Sequence, residues 1–199
     1  MKNRIRKIVL TGGPGVGKTS ILETLSELNF DTRKEVFTDI FAKAHEAGSF
    51  NEEFLRSAEL LEKLISSQKA LEAREAKSEF LFLDRCRADI LGFCKNLEIH
   101  PPESDSNWLN KNEYDLVFII EPLPARFYEQ NSIRRQTQTE ALDHHNKIIE
   151  HYTTFSKVNK LDPEDFLVKV PFIEAPKKES VHLRTEFILN TLKNKFQIK

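Results

Sequence analysis

Apolar residues fall along the chain in short blocks separated by polar or glycine-rich stretches. Ile5 to Thr11 is β-branched and runs into a cluster of glycines, the pattern of a buried strand entering a turn. Ile21, Leu22, Leu25 and Leu28 then recur at helical spacing, so a helix follows the turn directly. From Phe54 to about Lys77 there is neither Gly nor Pro. Phe54, Ala58, Leu61 and Ile65 form one stripe there, with Leu60, Leu64 and Leu71 beside it, which predicts one long helix with a broad buried face. Phe80-Leu81-Phe82-Leu83-Asp84 and Tyr114-Asp115-Leu116-Val117-Phe118-Ile119-Ile120-Glu121 are nearly continuous apolar runs closed by a carboxylate, as expected of strands covered on both faces of a parallel sheet. Between them, Pro101 to Asn107 reads as a polar loop.

Pro122-Leu123-Pro124 ends the later strand, and Arg126 to Thr139 is polar and carries three arginines. A second long helix follows, with Ala141, Ile148, Tyr152 and Phe155 on one face. Phe166-Leu167-Val168-Lys169-Val170 predicts a last strand, and a C-terminal helix starts at about Ser180. Strands that alternate with helices give a doubly wound α/β fold, a mostly parallel sheet with helices on both faces. At 199 residues, without linker or internal repeat, the chain is expected to form a single domain over 1–199.

The chemistry concentrates in Gly12-Gly13-Pro14-Gly15-Val16-Gly17-Lys18-Thr19, with Ser20 behind it. In a Gly-x-x-x-x-Gly-Lys-Thr loop the glycines let successive backbone N–H groups turn into an anion nest at a helix N-terminus, where the helix dipole also favours negative charge. Lys18 then reaches the β- and γ-phosphates of a nucleoside triphosphate, and the Thr19 hydroxyl ligates Mg²⁺. The flanking strand and helix come in the order this loop needs. Asp84 closes its strand as the acidic residue of a Walker B strand does, where it orients a Mg²⁺-bound water; alternatively it caps a helix beginning near Arg87.

Charge adds an exclusion. Thirty basic side chains nearly balance thirty-one acidic ones, so no global field marks a nucleic-acid or membrane-surface binder, and phosphate recognition is local. The two cysteines, Cys86 and Cys94, have neither disulfide-framework nor zinc-site spacing, which fits a reducing compartment. The apolar run after the basic N-terminus is too short for a signal peptide, and no stretch is long enough for a membrane span. The expectation is a cytoplasmic protein, monomeric or dimeric. His144 and His145 are adjacent and cannot turn one face to a single metal, so they read as solvated helix surface. The phenylalanines read as core packing rather than base stacking.

Phe82-Leu83-Asp84-Arg85 resembles the Asp-Arg signature of nucleoside and nucleotide kinases. With the glycine-rich loop, Lys34-Glu35-Val36, Ile133-Arg134 and Val170-Pro171-Phe172, most of the chain resembles the small AAA-domain P-loop family that includes ribosylnicotinamide kinases of the NadR type. The resemblance implies that Asp84 sits near the acceptor hydroxyl and that Arg85 clamps phosphate. It puts Glu35 just after the second strand, facing the acceptor as a base or a hydroxyl ligand. Arg134 matches the arginine of a segment that closes over the phosphates, with Arg126 and Arg135 as helpers and 126–139 as the lid. Pro171 falls where relatives pass the chain beside the nucleotide base. Relatives commonly carry an Asp-Gly-like pair before the lid arginine, whereas this chain has Asn131-Ser132.

Three functions are weighed. An ATP-dependent kinase would move the γ-phosphoryl group to a hydroxyl of a small metabolite, a nucleoside or nicotinamide riboside, with Lys18, Thr19, Asp84, Arg85 and Arg134 supplying position and charge. A regulatory ATP- or GTP-binding module, or slow NTPase, would act through a protein partner. The absence of an Asn-Lys-x-Asp motif tilts the base toward adenine. A ring-forming mechanical ATPase lacks room for the small helical domain such proteins carry after the core.

Overall fold

The computed structural model describes residues 4–99, 113–127 and 137–197. Among them five strands, β1 (Arg6–Thr11), β2 (Asp31–Arg33), β3 (Phe80–Asp84), β4 (Leu116–Ile120) and β5 (Leu167–Val170), form one all-parallel sheet in the order β2-β3-β1-β4-β5. The register sets Leu10 beside Asp84 and Thr11 beside Ile119, so β1, β3 and β4 end at one level. Ligands of such sheets bind beyond this carboxyl edge, where strand order reverses.

Alternation along the central strands feeds two cores. Ile8, Leu10, Phe82 and Phe118 face α1 (Lys18–Glu27) and α8 (Lys177–Phe196), while Val9, Leu83, Val117 and Ile119 face α6 (Gln138–Val158) and the short α7 (Pro163–Phe166). All five positions of β3 and of β4 are buried, which is why both read as continuous apolar runs. A third cluster joins α2 (Val36–Glu46), α4 (Ala58–Glu72) and α5 (Arg87–Asn96) around Ile40, Leu61, Leu64 and Ile90.

Three expectations change here. The helix expected over Phe54 to Lys77 is broken into α3 (Glu52–Leu55) and α4. Ser57 takes an extended conformation, its Oγ accepts from Leu60 N at 3.2 Å and donates to Phe54 O at 2.8 Å, and a cap of this kind is worth about 1 kcal/mol. Both pieces still contribute to the third core, so the stripe spans the break, although Ala58 is exposed. Leu28 does not belong to the buried face of α1: it is the C-cap, 48% exposed. The helix α2 was not expected, although Val36, Ile40 and Ala44 form its buried stripe at i, i+4 and i+8. The polar loop expected over Pro101 to Asn107 lies outside the described residues. Among the described residues no helix is long and apolar enough to cross a membrane.

Candidate functional site

β1 delivers the chain into the loop at Thr11, and α1 begins at Lys18. Gly12 has φ 137, and a Cβ there would lie 2.6 Å from the Ile120 carbonyl, so only glycine lets the loop leave the sheet beside β4. Gly17, with φ 93, is the N-cap of α1 and supplies no side-chain cap. The first N–H groups of α1 are thus left to an incoming anion. Lys18 Nζ donates to the Gly12 and Gly13 carbonyls at 3.2 and 3.0 Å, so the ammonium is held over the loop. Burial, with the neighbouring Arg85 charge, lowers its pKa to about 8 against the opposing pull of Asp84, Glu35 and Asp89.

Asp84, 2% exposed, ends β3 beside this loop. Thr19 Oγ1 donates to its Oδ2 at 3.3 Å, and its buried Oδ1 meets no donor among the described residues. Burial raises the Asp84 pKa and Glu35 adds to the rise, while Lys18 and Arg85 pull the other way. The helix-cap alternative for Asp84 falls, because Cys86 caps α5 and Asp89 three residues on accepts from the Cys86 N–H at 2.9 Å. Between Asp84 and that cap stands Arg85, a non-glycine residue at φ 63, a conformation costing on the order of 1 kcal/mol or more. The turn sends its guanidinium back over the loop. Nε donates to Glu35 Oε2 at 2.8 Å, Nη2 to the Gly12 carbonyl at 3.1 Å and Nη1 to Asp89 Oδ1 at 3.3 Å. Glu35, at the N-cap of α2, also accepts from Thr38 Oγ1 at 2.5 Å. Burial alone would raise its pKa, but the charges of Arg85 and Lys18 outweigh that and hold it below the usual range.

This loop, the helix after it and all but the first residue of β1 fall within residues 7–163, which match the family model described as AAA domain. The chain belongs to the AAA domain family. It is a P-loop domain of the nucleoside-triphosphate-binding kind. Its fold is similar to that of a NadR protein in complex with NR, with TM-score 0.62 and 16% identity over 98% of this chain and 52% of that one, so it spans about half the length of that protein. It is also similar to deoxyadenosine kinase from M. mycoides, with TM-score 0.56 and 16% identity over 94% of this chain and 99% of that one. Thymidylate kinase from Ehrlichia chaffeensis gives TM-score 0.54 and 13% identity over 94% and 99%. At such identities the likeness is one of fold. No curated protein matches the chain.

In this AAA domain Pro14 and Gly15 are half-buried, Val16 is buried in the core, and Ser20 lies half-buried in the first turn of α1. Pro171 is half-buried just past β5, beside Glu121, whose N–H bonds the Val170 carbonyl at 3.0 Å. Arg134 and Arg135 lie outside the described residues. Arg126, in a 3-10 turn over Ala125–Phe127, is exposed and pairs with Glu174. Among the described residues no group of three His, Cys, Asp or Glu side chains could hold a metal.

The site draws on residues that sequence reasoning passed over. Asp89 accepts from Thr11 Oγ1 at 2.6 Å and Tyr152 Oη at 2.7 Å besides Arg85 and Cys86, tying the start of the loop, α6 and the Arg85 clamp to one buried carboxylate. Its three-residue spacing from Cys86 was the available signal, obscured because Cys is an unusual N-cap. The solvated-surface reading of the histidines fails for His145, which is 4% exposed and accepts from the Gly13 N–H through Nδ1 at 3.2 Å. A Cβ on Gly13 would lie 2.8 Å from the Ala141 carbonyl, so α6 presses directly on the loop. Burial, with Lys18 nearby, lowers the His145 pKa to about 4, and burial with Arg85 and Lys18 does the same for half-buried His144.

Proposed function

We propose that this AAA domain is an ATP-dependent kinase that transfers the γ-phosphoryl group to a hydroxyl of a small metabolite, a nucleoside or a nicotinamide-riboside-like compound. The Arg85 clamp carries the reading. A module that only binds nucleotide needs the loop and Lys18. It does not need a guanidinium held in a left-handed turn by Glu35 and Asp89 beside the Asp84 carboxylate that ends β3.

In this reading the loop N–H groups and Lys18 hold the β- and γ-phosphates. Arg85, donating across the Gly12 carbonyl, meets charge that builds on the transferred group. Glu35, kept ionised by Arg85 and Lys18, accepts a hydrogen bond from the acceptor hydroxyl and takes its proton as the acceptor oxygen bonds to phosphorus and the bond to the ADP oxygen breaks. Thr19 and the Oδ1 of Asp84, which meets no donor among the described residues, would hold a divalent cation, Mg²⁺. When bound, that ion would neutralise phosphate charge. Positioning and electrostatics suffice for this chemistry.

The test is ADP release with ATP and Mg²⁺, with and without a panel of nucleosides and vitamin-derived ribosides. Acceptor-dependent turnover is expected, together with loss of that turnover in Glu35→Gln. Slow release that no acceptor stimulates would reject the kinase reading in favour of a slow NTPase.

A further inference from the structure

Arg184 stands in the middle of α8, beyond the residues 7–163 matched by the family. It is 2% exposed and heads the fully buried side chains by volume. Ile188 and Leu192, on the same face of α8, pack with Val16, Ile21 and Leu25. Packing alone asks for Leu or Met at this point, since a buried guanidinium carries a desolvation penalty that an apolar side chain of similar volume avoids.

What the guanidinium gains is specific. Nη1 donates to the Val16 carbonyl at 2.9 Å and Nη2 to the Glu121 carbonyl at 3.1 Å, so one rigid fork joins the phosphate loop to the chain leaving β4. These partners are carbonyls, not carboxylates, and the buried Nε meets no partner among the described residues. A Cβ on Gly17 would lie 3.4 Å from Nη1, which puts the cation directly behind the loop. In a planar trans peptide the C=O and the following N–H point in opposite directions. Pinning the Val16 oxygen toward Arg184 therefore aims the Gly17 N–H away from the core.

We propose that Arg184 is a positioning residue for nucleotide binding: it fixes the Val16–Gly17 peptide so that the Gly17 N–H faces the phosphates, and it sets a positive charge, hydrogen-bonded to carbonyls rather than to a carboxylate, behind them. Burial lowers the Arg184 pKa to about 10, against the Glu121 charge, so the cation persists at neutral pH. The inference rests on nucleotide binding and is independent of whether a phosphoryl group is transferred.

Isothermal titration of pyrophosphate and of ADP with Mg²⁺ onto the parent, Arg184→Met and Arg184→Lys, with melting temperatures measured alongside, tests it. Arg184→Met should weaken both ligands about tenfold or more, the loss expected for charge-assisted contacts. Arg184→Lys keeps the charge but cannot span both carbonyls, and should recover only part of the affinity. A purely structural arginine would lower the melting temperature and leave both dissociation constants alone. Folded Arg184→Met that binds pyrophosphate within about twofold of the parent overturns the proposal. Should that variant not fold, parental affinity in Arg184→Lys overturns it instead. A parent that binds neither ligand removes the nucleotide site itself, an outcome distinct from either.

Discussion

Replacing Asp89 with asparagine changes one oxygen to an NH₂ group and leaves the volume of the side chain unchanged, so the consequence falls on four hydrogen bonds. Each carboxylate oxygen of Asp89 serves one hydroxyl and one fixed N–H: Oδ1 takes Thr11 Oγ1 and Arg85 Nη1, and Oδ2 takes Tyr152 Oη and the Cys86 backbone N–H. A hydroxyl can rotate to accept from the new amide. The N–H of Cys86 or of Arg85 cannot, so whichever way the amide settles one fixed donor faces another. Losing one bond to a charged acceptor costs about 1.5–3 kcal/mol, and weakening the other three to neutral strength adds roughly 0.5 kcal/mol each. The sum is about 3–4.5 kcal/mol, a large share of the about 5–15 kcal/mol typical of folded proteins. For a chain of this size the melting temperature should fall by roughly 6–18 °C at about 2–4 °C per kcal/mol. Urea unfolding of the parent and Asp89→Asn measures the difference directly. A loss below about 1 kcal/mol would mean that the four donors do not converge on one ionised carboxylate, and would refute the network.

Lys18→Ala should abolish most of the thermal stabilisation that ATP with Mg²⁺ confers, about 2.7 kcal/mol at a hundredfold excess over Kd; an undiminished shift in the melting scan would show that phosphate binds elsewhere. Asp84→Asn should keep nucleotide affinity in titration while turnover drops on the order of a hundredfold or more, and full activity would remove Asp84 from the site. His145, held at a pKa of about 4 against an ordinary 6.5, stays neutral in the folded protein while the unfolded chain protonates. The unfolded state therefore binds more protons between those pH values, and stability is lost as pH falls from 6.5 toward 4, by up to about 1.4 kcal/mol per unit. His145→Asn, whose Oδ1 takes the place of Nδ1 as acceptor for the Gly13 N–H, should partly flatten that acid limb in urea titrations, His144 carrying a like shift; an identical limb would show that His145 does not contribute to it.

Much of this molecule was legible in the sequence because the deciding interactions are local. A glycine-rich loop between an apolar run and a helical stripe specifies strand, nest and helix through backbone sterics and a 3.6-residue period, and Phe80 to Asp84 declares a strand covered on both faces by lacking any polar position before its last. Ser57 shows the limit of periodicity: its capping hydroxyl breaks a stripe that continues across the gap because both helices meet the same core. The remainder of the site depended on strand order. Asp89 meets Thr11 across 78 positions, Gly13 meets His145 across 132, and Val16 meets Arg184 across 168. No spacing rule reaches that far. Once β1 lies between β3 and β4, α6 and α8 are brought against the loop, and a histidine and an arginine unremarkable in sequence become buried partners of its backbone. The charge of a lysine, the donors of a loop and the end of a strand are written in residues close together; which distant side chains satisfy the polar groups that those elements bury is decided only when the sheet closes over them.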